Sequence, residues 1–178
     1  SSSSAAAHTT TEARVAPLAA ADPDEELKER LKLTNKLVFG FDSFRPHQLD
    51  IVAAITKNED VYVIMPTGGG KSLCYALPSV LSEGVTIVIS PLLSLIEDQV
   101  AAFLRLKCGG IPSAYLTSAS NMGQINAITK DLIRSQKGEE PYLKLLYLTP
   151  ERVVNHEETK AILTVLYNQA RLARFVVD

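Results

Sequence analysis

The chain carries one stretch whose residue types and spacing can do chemistry: Met65-Pro66-Thr67-Gly68-Gly69-Gly70-Lys71-Ser72. Glycines let a backbone curl until successive N–H groups face one anion, and a helix N-terminus adds partial positive charge. A lysine behind such a turn reaches β- and γ-phosphates, and the hydroxyl that follows it ligates magnesium. The pattern predicts a phosphate-binding P-loop in which Lys71 and Ser72 are the working side chains. Its strict form has glycine where this chain has Met65. The opposing reading is a glycine-rich turn that binds nothing. Context argues against it: Asp60-Val61-Tyr62-Val63-Ile64 reads as a buried strand, and Leu73-Cys74-Tyr75-Ala76-Leu77 as the opening of a helix.

A second acidic position belongs to the same chemistry. Phe175-Val176-Val177-Asp178 is an apolar strand-like run ending in a carboxylate. P-loop enzymes hold their magnesium ion with an aspartate placed this way, so Asp178 is a candidate metal-site residue beside Ser72. Upstream, Phe39, Phe41 and Phe44 crowd in front of Arg45-Pro46-His47-Gln48. Two readings stand there. The segment is a hydrophobic turn anchoring a helix with Gln48 on a solvated face. Or it is an adenine pocket, since an amide reads both a donor and an acceptor and an aromatic or guanidinium face stacks on a ring. Ser90-Pro91-Leu92, at the end of another apolar run, reads by itself as an ordinary strand-to-helix turn.

The elements that must position these residues alternate. Asp22 caps a leading helix with Pro23 at its first position and Glu25 as a capping-box partner, and Gly40 ends it. Pro46 starts a second helix. Strands are expected at 60–64, Val85–Ile89, Ala114–Leu116, Leu143–Thr149 and Arg174–Asp178. Helices are expected after the P-loop, from Pro91 to Leu106, from Met122 to Ser135 and from Ala161 to Ala173. Glu151 and Arg152 are placed to form an ion pair in the turn after the fourth strand. Such alternation implies parallel strands with helices on both faces and a ligand site at the strands' C-terminal ends. Lys71, Ser72, Ser90, Thr149 and Asp178 all fall at such ends. Residues 1–21, rich in Ser, Ala and Thr, are expected to be a disordered tail.

With 178 residues, 46% of them hydrophobic, the chain is long enough for one sizeable α/β domain. A net charge of −2 supplies no global basic signature for nucleic acid, although net charge averages over all faces. No apolar run is long enough to span a bilayer. The N-terminus lacks the basic and apolar regions of a signal peptide. Cys74 and Cys108 have no metal-ligand spacing and are both expected to be buried thiols, which fits a reducing setting. There are no internal repeats. The start at Ser1 and the end directly behind a strand-like run suggest a cut chain.

Taken together, these motifs resemble the RecQ family of DNA helicases within helicase superfamily 2, over about residues 39–178. Met65 to Tyr75 is similar to the family's motif I, Met65 included. Phe39-Gly40-Phe41 with Phe44 to Gln48 resembles its motif 0, Ser90-Pro91-Leu92 through Asp98-Gln99 its motif Ia, and Leu146 to Arg152 the segment before motif II. The spacing from Arg152 to Phe175 looks like that of the shorter eukaryotic members.

The resemblance implies an α/β, three-layer RecA-like P-loop domain whose mostly parallel sheet is incomplete at the C-terminus. Residues 22–178 would be the N-terminal part of that ATP-binding domain, with a leading helix over 22–40 and a motif 0 region over 39–58. It implies ATP on Met65, Pro66, Thr67, Gly68, Gly69, Gly70, Lys71 and Ser72. Phe41 and Arg45 would flank adenine and Gln48 would hydrogen-bond to it. Mg2+ would be held by Ser72 and, through water, Asp178. Ser90, Pro91, Leu92, Ser94 and Gln99 would meet single-stranded DNA. The implied activity is 3′-to-5′ ATP-dependent unwinding of single-stranded and branched DNA in nuclear recombination and repair. A second carboxylate after Asp178, a second RecA-like domain with its arginine finger, and a zinc-bearing C-terminal module would lie outside these residues. The chain alone is therefore expected to bind nucleotide without turning it over. The competing readings are a truncated, non-catalytic ATP- or DNA-binding product and a superfamily 2 translocase that does not separate strands.

Overall fold

The computed structural model describes residues 22–178, so the expected tail at 1–21 lies outside the described residues. Four parallel strands, β1 (Val85–Ile89), β2 (Ser113–Leu116), β3 (Leu145–Leu148) and β4 (Leu172–Val177), line up in the order β2-β3-β1-β4. β1 is almost wholly apolar because it is buried on both faces and flanked on both sides. Side chains alternate between faces, so odd and even positions of β1 go to different cores. Val88 packs with Leu145 and Tyr147 against α3 (Lys71–Leu81) and α4 (Leu93–Leu104), where Tyr75, Ala76, Ile96, Val100 and Phe103 close one core. Val85 and Ile87 face the other way with Leu146 and Leu148. They meet Ile125 and Leu132 of α5 (Met122–Leu132) and Ile162 and Leu166 of α7 (Glu157–Asn168).

A third cluster joins Leu31 of α1 (Pro23–Thr34), Val52 and Ala53 of α2 (Gln48–Thr56), and Leu73 and Leu77 of α3. It clamps the leading segment onto the P-loop helix. Asp22 caps α1 as expected, accepting from the Asp24 N–H at 3.0 Å, while Glu25 pairs with Lys28 rather than reaching back. The helix runs through a π turn, Asn35–Phe39, and stops at Gly40, whose φ of 78° only glycine adopts freely.

Several expectations are corrected. Residues 60–64 form no strand: Tyr62 is 90% and Ile64 83% exposed. Their composition suits a ladder, but a strand exists only when a neighbour supplies hydrogen bonds in register. Here they face β4 across a cleft of about 540 Å³ lined by Asp60–Val63 and Ala173–Asp178, and the outer edge of β4 stays unpaired. α2 begins at Gln48 rather than Pro46, because His47 takes a left-handed φ of 66°. α4 begins at Leu93 rather than Pro91, and α5 ends at Leu132 in a 3₁₀ turn.

The turn after β3 is itself a helix, α6 (Pro150–Asn155), capped by Thr149. Arg152 does not pair with Glu151, since successive helical side chains diverge. It turns inward, 1% exposed, donating to Thr159 Oγ1 at 2.9 Å, His156 Nδ1 at 3.1 Å and Glu158 Oε1 at 2.7 Å. A guanidinium has no acceptor, so His156 Nδ1 must accept and its proton sits on Nε2.

Cys74 is buried as expected and burial pushes its thiol up to about 11, whereas Cys108 is exposed. An aromatic disulfide reagent at neutral pH is therefore expected to modify Cys108 quickly and Cys74 only on unfolding; equal rates would contradict the packing. Gly84, with φ of 80°, lets the chain entering β1 pass against the Arg171 carbonyl at the mouth of β4. Gly84→Ala would drive its Cβ into that carbonyl and is expected to cost about 1–3 kcal/mol in urea unfolding.

Candidate nucleotide site

The P-loop is built by backbone conformations that side chains resist. Gly68 and Gly70 have φ of 76° and 91°, and the Gly69 N–H closes a turn on the Pro66 carbonyl at 2.9 Å. Gly70 is also the N-cap of α3, so the helix starts on Lys71 and Ser72, whose first-turn N–H groups point out of its end. A Cβ on Gly70 would collide with the Gln48 amide. The Lys71 ammonium reaches back to the Met65 carbonyl at 3.4 Å, bridging the mouth of the turn.

The segment before α2 is fastened to this turn. Gln48 Nε2 donates to the Gly70 carbonyl at 3.1 Å, and its Oε1 accepts the Arg45 N–H at 2.8 Å. The Arg45 guanidinium donates to the Gly68 carbonyl. Gln48 is only 2% exposed, so the reading that put it on a solvated face is wrong. Each half of its amide has capacity left, one N–H and one lone pair. Phe41 lies nearby in sequence and is 54% exposed, a free aromatic face.

The sheet register decides what else meets the P-loop. Val88 pairs with both Tyr147 and Val176, so two residues further along each strand Ser90, Thr149 and Asp178 fall in one row on one face. The ladders continue there, Ser90 N–H to Leu148 O at 3.0 Å and Asp178 N–H to Ile89 O at 2.9 Å. Ser90 and Thr149 are buried, and Thr149 Oγ1 is occupied as the cap of α6. Asp178 is exposed. Just below the row, the Tyr75 and Tyr147 hydroxyls share a hydrogen bond of 2.9 Å. Burial pushes both phenols up and the Asp178 charge pushes them further, whereas Ser72 acts on Tyr75 in the opposite sense. Lys71, Tyr75 and Asp178 line one cleft, and Tyr147 bonds to Tyr75 behind it. The sequence reading missed the tyrosines, which lie 72 residues apart and carry no local signal.

The donor set fits magnesium. Ser72 and Asp178 offer hard oxygens, and this ion keeps most of its shell as water and phosphate. Among the described residues there is no group of three or more His, Cys, Asp or Glu that could hold a metal ion. The expected DNA-contacting residues divide. Pro91, Leu92 and Ser94 are exposed, with Leu92 60% accessible at the mouth of α4; Gln99 is half-buried, and Ser90 lies inside.

A family model for DEAD/DEAH box helicases matches residues 45–178. The chain belongs to the DEAD/DEAH box helicase family. Within it, the sequence is 44% identical over 150 residues to the Arabidopsis thaliana ATP-dependent DNA helicase Q-like 4B, covering 84% of this chain and 12% of that protein. It is 44% identical over 151 residues to the Xenopus laevis RecQ-like DNA helicase BLM, covering 85% of the chain and 10% of that protein. It is 36% identical to the Rattus norvegicus ATP-dependent DNA helicase Q1 over 91% of the chain and 25% of that protein. The chain therefore spans between a tenth and a quarter of these relatives' lengths. The fold also matches a Mycobacterium smegmatis helicase Lhr bound to single-stranded DNA and AMP-PNP, at a TM-score of 0.52 and 17% identity, over 85% of this chain and 24% of that one.

In this helicase domain the Gln48 amide satisfies two backbone groups. Gln48→Leu keeps the volume, leaves the Arg45 N–H unpaired and takes one of the donors from the Gly70 carbonyl, which still accepts the Leu73 N–H at 3.2 Å. It is expected to lower stability in urea unfolding by about 1 kcal/mol.

Proposed function

We propose that this chain is the nucleotide-binding first part of a RecQ-type, ATP-dependent DNA helicase that moves 3′ to 5′ on single strands and works in nuclear recombination and repair. The observation that carries the reading is the meeting of the P-loop, the motif 0 segment and Asp178 at one sheet edge. The similarity to RecQ-like helicases supports it.

Phosphates would take the first-turn N–H groups of α3, and the Lys71 ammonium would exchange the Met65 carbonyl for phosphate oxygens. Adenine would lie between Phe41 and Arg45, with the spare N–H and lone pair of Gln48 reading its edge. Ser72 and Asp178 would hold the magnesium ion. When bound, that ion neutralises charge that develops on the transferring phosphoryl group. Ser90, Pro91, Leu92, Ser94 and Gln99 would border the DNA path. Exposed Leu92 and Ser94 suit apolar contact with, and hydrogen bonding to, an unpaired strand.

Turnover requires charges around the γ-phosphate beyond those of Lys71, Ser72 and Asp178. Hydrolysis and unwinding thus belong to the full-length protein, and residues 22–178 bind nucleotide without turning it over. The test is a titration of fluorescent ADP with magnesium into this chain and its Lys71→Ala variant. Binding weakened at least about tenfold in the variant is expected, the loss of one charge-assisted phosphate contact. Equal binding by both would overturn the site assignment. Lys71-dependent ATP hydrolysis by the chain alone would overturn the division of labour.

A further inference from the structure

The aromatic face at Phe41 is carried by a loosely seated segment. Residues 41–43 are exposed, and residues 42–47 line a cavity of about 520 Å³ together with Asn35 and Leu49. Among the described residues, three polar ties hold residues 41–43. The Phe41 N–H donates to the Asn35 carbonyl at 3.2 Å, Asn35 Nδ2 donates to the Ser43 carbonyl at 3.3 Å, and Lys36 pairs with Asp42 at 3.0 Å. The ion pair is open to solvent and holds little. The other two both end on Asn35, the first residue of the π turn. Asn35 is itself 1% exposed, and its N–H is bonded back to the Leu31 and Lys32 carbonyls of α1.

Packing does not account for the Asn35 amide. A carbonyl only accepts, so the amide nitrogen must face Ser43 and the amide oxygen must face away. That oxygen is buried and has no hydrogen-bond partner among the described residues. Leucine would fill the same space with no oxygen to desolvate. The single bond of the amide goes to an exposed residue whose carbonyl water could serve equally well. We propose that Asn35 is a positioning residue for the base end of the nucleotide site. Its amide ties Ser43, and its carbonyl ties Phe41, to the buried end of α1. Phe41 is thereby held in one place relative to Arg45, which is fastened to the Gly68 carbonyl. The inference rests on the nucleotide-site reading above and adds the residue that sets its base end. A segment tied less firmly has to be ordered when a base binds, at about tenfold in affinity for each backbone residue fixed.

The experiment measures the affinities of ADP and of pyrophosphate, each with magnesium, for the full-length protein by competition with fluorescent ADP. It compares wild type, Asn35→Leu, Asn35→Ala, Phe41→Ala and the double variant Asn35→Leu/Phe41→Ala. Pyrophosphate reports the phosphate end alone. The expected result is ADP bound about tenfold more weakly by Asn35→Leu, with pyrophosphate affinity unchanged. In the Phe41→Ala background Asn35→Leu is expected to cause no further loss, because both changes act on one contact. Wild-type ADP affinity in a folded Asn35→Leu overturns the proposal. So does equal weakening of ADP and pyrophosphate, which marks a merely structural role, and so do losses that add to those of Phe41→Ala. If the leucine variant fails to fold, Asn35→Ala, which removes the amide without adding bulk, decides by the same criteria. ADP binding that survives Lys71→Ala, or that Phe41→Ala leaves at the wild-type value, defeats the nucleotide reading itself and is seen before the Asn35 variants are compared.

Discussion

The parallel ladder around β1 is the constraint on which the rest of the domain depends. Its pairing with β3 on one side and β4 on the other aligns Val88 with Tyr147 and Val176. A slip of one residue would send every side chain of a strand to the opposite face. Ser90, Thr149 and Asp178 would then no longer share a row, and the β3 tyrosine would leave the core that contains Tyr75. The register is held by the two cores themselves. Val85 and Ile87 are fully buried on one side and Val88 on the other, so any other pairing would expose apolar area worth roughly 25 cal/mol per Å². The same burial that stabilises the sheet therefore aligns the polar edge.

On that frame the P-loop is not an independent turn. α1 and α2 pack through Leu31, Val52 and Ala53 onto Leu73 and Leu77 of α3. The amide of Gln48 and the guanidinium of Arg45 then close onto Gly70 and Gly68. The segment that would meet a base and the turn that would meet phosphates are thus one rigid unit. Gly70 serves this contact as well as the left-handed turn, since a side chain there would displace the Gln48 amide.

Buried polarity in this domain is concentrated where elements change direction. Arg152 locks α6 to α7 through Thr159, His156 and Glu158, and Thr149 caps α6. Tyr75 and Tyr147 bond under the sheet edge. Each group is satisfied inside the domain, as burial requires. The aromatic and aliphatic groups at Leu92, Tyr62 and Ile64 remain on the surface beside the site.

The sequence by itself determined the class of the fold, the P-loop, the covered α/β layering and the candidacy of Asp178. These follow from local periodicity, glycine chemistry and the apolar runs of strands, all carried by neighbouring residues. It also marked Arg45 and Gln48 as unusual, but it could not choose between a solvated Gln48 and a buried one. Only the tertiary structure decided that Gln48 faces Gly70, that Arg152 turns to Glu158 instead of Glu151, that Cys108 is exposed, and that Tyr75 meets Tyr147. It also decided that residues 60–64, strand-like in composition, form no ladder. Each of these depends on partners far away in the chain. Composition records what a residue can bury or donate, but only the packed arrangement determines which partner it meets.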